Sequence, residues 1–189
     1  MSTATEFITD LEEEEVDVEN SHNTLWKSPG EKHRFEASQI FEHIARLRYN
    51  PNTEIAVGTD SQHRGQYLFY ITVICLWERG RGGTYYYKSE CQKRQPHMVN
   101  SSQKMRMFEE VSRTIEIANL ITEKTGIKPV CHIDASLPIK KEYTSSFSEQ
   151  LRGYVISSGY ICVLKPESYA ANCIADRHTK RKLRIKETT

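Results

Sequence analysis

Hydrophobic and polar positions follow two periods along this chain, and the first clear one is a period of two. In Glu54-Ile55-Ala56-Val57-Gly58-Thr59-Asp60, Ile55 and Val57 alternate with the small residues Ala56 and Gly58. That alternation predicts a buried strand with one face open to apolar cover and one that another backbone can approach closely. Asp60 shares the parity of Ala56 and Gly58. The polar run Ser61-Gln62-His63-Arg64-Gly65 follows it, so the strand is expected to end on this carboxylate. An aspartate in that setting is ordinarily a turn residue. In open α/β sheets, however, chemistry gathers outside strand ends.

Elsewhere the pattern predicts further elements in order. Ile40, Ile44 and Leu47 form one stripe of a short helix over residues 38–48, with Ser38 as its cap and Asn50-Pro51-Asn52 after it. Residues 66–77 are a long β-rich run, Arg79-Gly80-Arg81-Gly82-Gly83 a glycine-rich turn, and residues 84–89 a third strand closing a hairpin. Those glycines join strand to strand with no helix start after them, which argues against a phosphate loop. Met107, Val111, Ile115, Ala118 and Ile121 repeat at helical spacing in a long helix from residue 103 to about 124, capped by Ser101 or Ser102. Glu110 lies at the edge of its buried face and Glu109 points further round. Residues 129–136 repeat the first strand's logic, an apolar run ending on Asp134, with His132 on the same face. His132 is open to two readings, a supporting group for the site or a hydrogen-bonded structural histidine. An amphipathic helix over 144–158 carries Phe147, Leu151, Tyr154 and Val155. Residues 160–164 make a fifth strand, and a last helix runs from about Ser168 to Lys180.

The resulting order is a helix, three strands, then helix-strand-helix-strand-helix. A meander of three antiparallel strands extended by right-handed crossovers gives an α/β fold with a mixed five-stranded sheet in the order 3-2-1-4-5. Strands one and four are then neighbours ending at one edge. Asp60 and Asp134 come together there. The long helix can lower Glu110 onto the same point, and the last helix can bring Asp176. Four clustered carboxylates raise one another's pKa unless cations intervene. Hard oxygen ligands suit Mg²⁺ or Mn²⁺, and a pair of such ions suits phosphodiester hydrolysis. Ser61 beside Asp60, His132 and His178 take supporting positions. Lys165, Arg177 and Lys180 are placed to hold phosphates.

Composition sharpens this. The 189 residues suit one domain with extra terminal length. No stretch approaches the length of a membrane span, and the N-terminus has no signal-peptide pattern, so a cytoplasmic location with no membrane partner is expected. The five cysteines show no C-x-x-C spacing, and three lie in strand-like apolar runs, which speaks against a zinc site or disulfide framework. Net charge is only +1, yet the first twenty residues hold eight acids and no lysine or arginine, leaving the remainder nine positive charges in excess. The expected organisation is a flexible acidic arm over 1–33, a folded domain over 34–182 and a basic tail over 183–189. Trp26 and Phe35 can pin the arm to the domain. A basic body suits a polyanionic partner.

The strings Val57-Gly58-Thr59-Asp60-Ser61-Gln62, His132-Ile133-Asp134, Lys165-Pro166-Glu167-Ser168-Tyr169-Ala170-Ala171 and Ala175-Asp176-Arg177-His178-Thr179-Lys180 resemble the YkuK-type ribonuclease H-like family over about residues 35–182. That resemblance implies a ribonuclease H-like fold and a metal-dependent nuclease site. Asp60 would be the first-strand acid, Glu110 the helix acid, Asp134 the fourth-strand acid and Asp176 the last-helix acid. Products with 5′-phosphate and 3′-hydroxyl ends are implied as well. A non-catalytic nucleic-acid-binding or assembly module on the same fold is the alternative, with Tyr85-Tyr86-Tyr87 as stacking groups. Phosphate transfer on a small nucleotide ranks below both.

Overall fold

The computed structural model describes residues 14–17, 25–47, 50–93, 103–136, 147–180 and 183–186. In chain order the elements are β1 (Glu14–Asp17), α1 (Ala37–Arg46), β2 (Thr53–Arg64), β3 (Tyr67–Glu78), β4 (Gly82–Lys93), α2 (Gln103–Thr125), β5 (Val130–His132), α3 (Ser148–Ser157), β6 (Ile161–Val163), a π-helix (Ala170–Ala175), α4 (Asp176–Thr179) and β7 (Leu183–Lys186). The central sheet has the order β4-β3-β2-β5-β6. Its first three strands are an antiparallel meander, and β5 and β6 add parallel to β2. This is the 3-2-1-4-5 order expected from the pattern.

The core follows the two periods. Ile55 and Val57 face α1 and α2, packing with Ile40, Ile44, Ile117 and Ile121. Met107, Val111, Ile115 and Ala118 of α2 meet Cys131 and Ile133 of the β5 segment, and Leu151 and Val155 of α3. Ala56 and Val73, on the opposite face, pack against Ala170 and Ala175 of the π-helix. The small-residue face of β2 does what its composition foretold. A Cβ on Gly58 would stand 2.7 Å from the Ala171 nitrogen, so only glycine admits the π-helix this close.

Several boundaries differ from expectation. β2 does not end at Asp60 but continues to Arg64, because its antiparallel register with β3 is unbroken from Thr53↔Glu78 to Arg64↔Tyr67. Gly65, at φ 57°, makes the turn. Ladder hydrogen bonds with β3 thus carry a polar stretch that hydropathy alone reads as a strand exit. The parallel register of β2 with β5 does end early, at Gly58↔His132. Beyond it β5 stays with β6, the Ile133 N–H donating to Val163 O at 2.9 Å. β4 extends past the expected 84–89 on both sides for the same reason, its full pairing with β3. Ser38 lies inside the first turn of α1. The cap is Glu36, whose N–H donates to Gln39 Oε1 at 2.8 Å. The last helix is two helices, six π residues followed by one α turn. Tyr154 is exposed and not part of the α3 core stripe. Tyr86 and Tyr87 are buried, which makes the tyrosine run ordinary sheet and not a stacking platform.

Trp26 and Phe35 do anchor the segment before α1. They exchange backbone hydrogen bonds of 2.9 and 2.8 Å, Lys27 pairs with Tyr87 at the β4 edge, and Trp26 is buried. Residues 14–17 pair in parallel with 183–186, Glu15 opposite Arg184 and Asp17 opposite Lys186, a pairing the pattern did not announce. The expected caps Ser101 and Ser102, residues 144–146 and most of the acidic arm lie outside the described residues. Among the described residues no helix is long and apolar enough to cross a membrane.

Candidate active site

Where β5 parts from β2 and continues with β6, β2 runs on with no strand paired on that side among the described residues, and its side chains alternate between two layers. Asp60 continues the face of Gly58. The Thr179 hydroxyl donates to Asp60 Oδ2 at 2.6 Å. Thr179 closes α4, which follows directly from the π-helix seated on Gly58. Arg64 Nη2 donates to Thr179 O at 2.7 Å and ties the end of α4 to β2. Ser61 takes the other face, toward α2, and its hydroxyl donates to Glu110 Oε1 at 2.6 Å. One turn earlier on α2, Arg106 Nη1 donates to Ser61 O at 2.8 Å. The Thr114, Thr59 and Thr72 hydroxyls continue inward from Glu110 in a chain with spacings of 3.0 and 3.1 Å.

The electrostatics couple these acids. Burial, and then the charge of Asp60, push the Glu110 carboxyl up to about 8, against the Ser61 hydroxyl and the Arg106 guanidinium. Only 5% of Glu110 is exposed. Burial also raises Asp60, with the Asp176 charge adding to it and the Thr179 hydroxyl opposing it. Asp176 opens α4 and pairs with Lys180 one turn on. Asp60 therefore stands within electrostatic reach of Glu110 on one side and of Asp176 on the other.

Asp134 stands at the same edge. Like Asp60, it lies two residues past the last β2–β5 pair. Its Oδ1 is buried, 2.6 Å from Lys165 Nζ, an ion-pair contact without the alignment of a hydrogen bond. The Lys165 N–H donates to Ala135 O at 3.0 Å, which sets that lysine beside the acid. Two expected supporting groups face elsewhere. His132 accepts from the Ala170 N–H at 3.2 Å, meets the Tyr169 ring edge-on and lies 4.0 Å from Glu54. Burial lowers it to about 4, so it is neutral, and it seats the π-helix. His178 stacks on Tyr87 at 3.8 Å and meets the Tyr85 hydroxyl at 3.1 Å, facing β4 and not the carboxylates. Arg177 is exposed on the α4 turn.

Sequence reasoning missed Arg106, Thr179 and Arg64. Spacing held a signal for two of them: Arg106 precedes Glu110 by one helical turn, and Thr179 follows Asp176 by three residues. The donor set suits a hard divalent cation. All four acids offer oxygen, Asp134 Oδ1 is buried without a hydrogen bond, and the raised Asp60 and Glu110 would be relieved by positive charge. As the side chains stand, no three His, Cys, Asp or Glu groups among the described residues are gathered closely enough to enclose an ion.

Comparison with known proteins is consistent with this architecture. Residues 37–180 match a family described as ribonuclease H-like. A Bacillus subtilis (strain 168) protein described as uncharacterized protein YkuK is 27% identical over 135 residues, 67% of this chain and 78% of that relative. No solved structure matches the chain.

Proposed function

The chain belongs to the ribonuclease H-like family, and on that footing we propose that it is a metal-dependent nuclease hydrolysing phosphodiester bonds of RNA, DNA or a hybrid. Asp60, Glu110, Asp134 and Asp176 would hold Mg²⁺ or Mn²⁺, in the two-ion arrangement the resemblance implies. Such ions, when bound, lower the pKa of water and stabilise charge on the leaving oxygen. The observation that carries the reading is the Asp60–Glu110 pair, two carboxylates raised together at an open sheet edge. Perturbed acids are concentrated at working sites, which is what supports this reading.

The chain's own groups then divide the work. Thr179 and Ser61 fix the rotamers of Asp60 and Glu110, which lowers the ordering cost of using them. Arg106 supplies positive charge beside both acids. Lys165 and Lys180 pair with Asp134 and Asp176. Were those acids to hold a cation, both ammonium groups would be free to meet phosphate oxygens, with Arg177 beside them.

One observation favours the second reading, a nucleic-acid-binding module without turnover. Lys165 and Lys180 already neutralise two of the four acids, leaving a surface that a polyanion can approach. Labelled single-stranded, duplex and hybrid substrates, each with Mg²⁺, Mn²⁺ or chelator, separate the two. The nuclease reading expects cleavage that needs the ion and vanishes when Asp60→Asn and Asp134→Asn are combined. Cleavage surviving the double substitution sinks it, and binding without cleavage under any ion establishes the second reading.

A further inference from the structure

The other end of the sheet holds a cavity of about 500 Å³, at the start of β2 and β5 and the end of β3. The strand between Thr53 and Asp60 separates it from the acids by roughly 23 Å at the usual rise per residue. Its volume falls in the range of small-molecule sites, which are apolar with a few convergent polar groups. Trp77 lines it and is 39% exposed, so its ring is open to a ligand. Arg79 and Lys128 line it too. Neither is in an ion pair among the described residues, and Lys128 Nζ donates only to Gly159 O, at 3.2 Å.

One carboxylate in the wall keeps an oxygen for a ligand. Glu54, cross-strand from Trp77, has Oε1 taken by the Tyr169 hydroxyl at 2.9 Å. Its Oε2 remains to accept from a ligand hydroxyl. The Arg79 N–H donates to Asn52 O at 3.0 Å, so the turn bearing the guanidinium is tied to the start of β2.

An aromatic platform, two cations outside any ion pair among the described residues and a carboxylate oxygen define one ligand chemistry. We propose that this cavity binds a nucleoside 5′-monophosphate, its base stacked on Trp77, its phosphate on Arg79 and Lys128 and its ribose hydroxyls toward Glu54. A sugar phosphate alone would leave Trp77 bare, and a nucleoside alone would leave both cations unmatched. This site stands apart from the nuclease reading and does not depend on it.

The test titrates the full chain with the 5′-monophosphates of adenosine, guanosine, cytidine and uridine, following tryptophan emission and calorimetry together. Of the chain's two tryptophans, Trp26 is 4% exposed, so a quench reports Trp77. Adenosine, ribose 5-phosphate, inorganic phosphate and a short oligodeoxyadenylate are the comparison ligands. Saturable binding of a mononucleotide is expected. It should weaken about tenfold or more for the nucleoside and for Arg79→Ala with Lys128→Ala, one charged contact being worth that much. Trp77→Leu should weaken it and Trp77→Phe largely restore it, while Asp60→Asn leaves it unchanged. No saturable signal below millimolar concentration overturns the proposal, as does affinity indifferent to Arg79 and Lys128. Binding abolished by Asp60→Asn would move the ligand to the acidic site, and binding of the oligonucleotide alone would make the cavity a strand path. Either result overturns it, whereas a failed nuclease assay leaves it untouched.

Discussion

Replacing Glu110 with glutamine isolates the most strained group at the acidic edge. The carboxyl is almost fully buried, and burial followed by the Asp60 charge moves it from 4.5 to about 8. The folded-state pKa lies above the unfolded one, so the folded protein holds this proton more tightly. Its contribution to stability is fully present below about pH 4.5 and is lost as pH rises through about 8. At about 1.4 kcal/mol per pH unit the interval gives a ceiling of roughly 5 kcal/mol. Glutamine keeps the shape and an Oε1 for the Ser61 hydroxyl, but it cannot ionise. Urea unfolding of both proteins from pH 5 to pH 9 reads the difference. The variant should match the wild type near pH 5 and exceed it by several kcal/mol at pH 9. Mg²⁺ should close part of that gap at pH 9 by stabilising the wild type alone. Glu109→Gln is the control, since Glu109 is half-exposed and already paired with Arg113 at 3.0 Å. Parallel pH profiles for wild type and Glu110→Gln would refute the argument that this carboxyl is buried at a cost.

Three further outcomes follow from particular contacts. Gly58→Ala should lower stability by about 1–3 kcal/mol in thermal melts, because the new methyl would meet Ala171 backbone at 2.7 Å and push the π-helix from the sheet. In an Arg106→Ala background the gap between the Glu110 and Glu110→Gln proteins should open at the same pH but keep growing to a higher pH and end larger, since the guanidinium lowers both Glu110 and Asp60. Leu151→Ala, at a fully buried site between α3 and α2, should cost about 2–5 kcal/mol in urea without moving the pH profile.

The pattern of residues carried the sheet order and most of the core. Ile55 and Val57 against Ala56 and Gly58 declared two faces, and α1, α2 and the π-helix took them accordingly. The helical stripe from Met107 to Ile121 is buried throughout. Other features lie beyond what periodicity records. A hairpin keeps its ladder through a polar run when both strands continue, so Arg64 is strand where hydropathy reads exit. A run of small residues announces close packing without saying whether the turns are α or π. The pairing of 14–17 with 183–186 joins opposite ends of the chain, a contact no local pattern encodes.

The acidic edge shows the same limit in its most consequential form. Asp60 and Ser61 are adjacent in a strand, so their side chains must point to opposite layers. Asp60 meets Thr179 of α4, and Ser61 meets Glu110 of α2. The acids are therefore assembled around the strand from both layers and not within a pocket on one face. Asp60 and Glu110 meet across the part of β2 that β5 no longer flanks, since β5 leaves β2 after Gly58↔His132 and follows β6. The site is thus a consequence of where one parallel ladder ends. A change that prolonged the β2–β5 pairing would weaken the coupling of Asp60 to Glu110 without touching either residue.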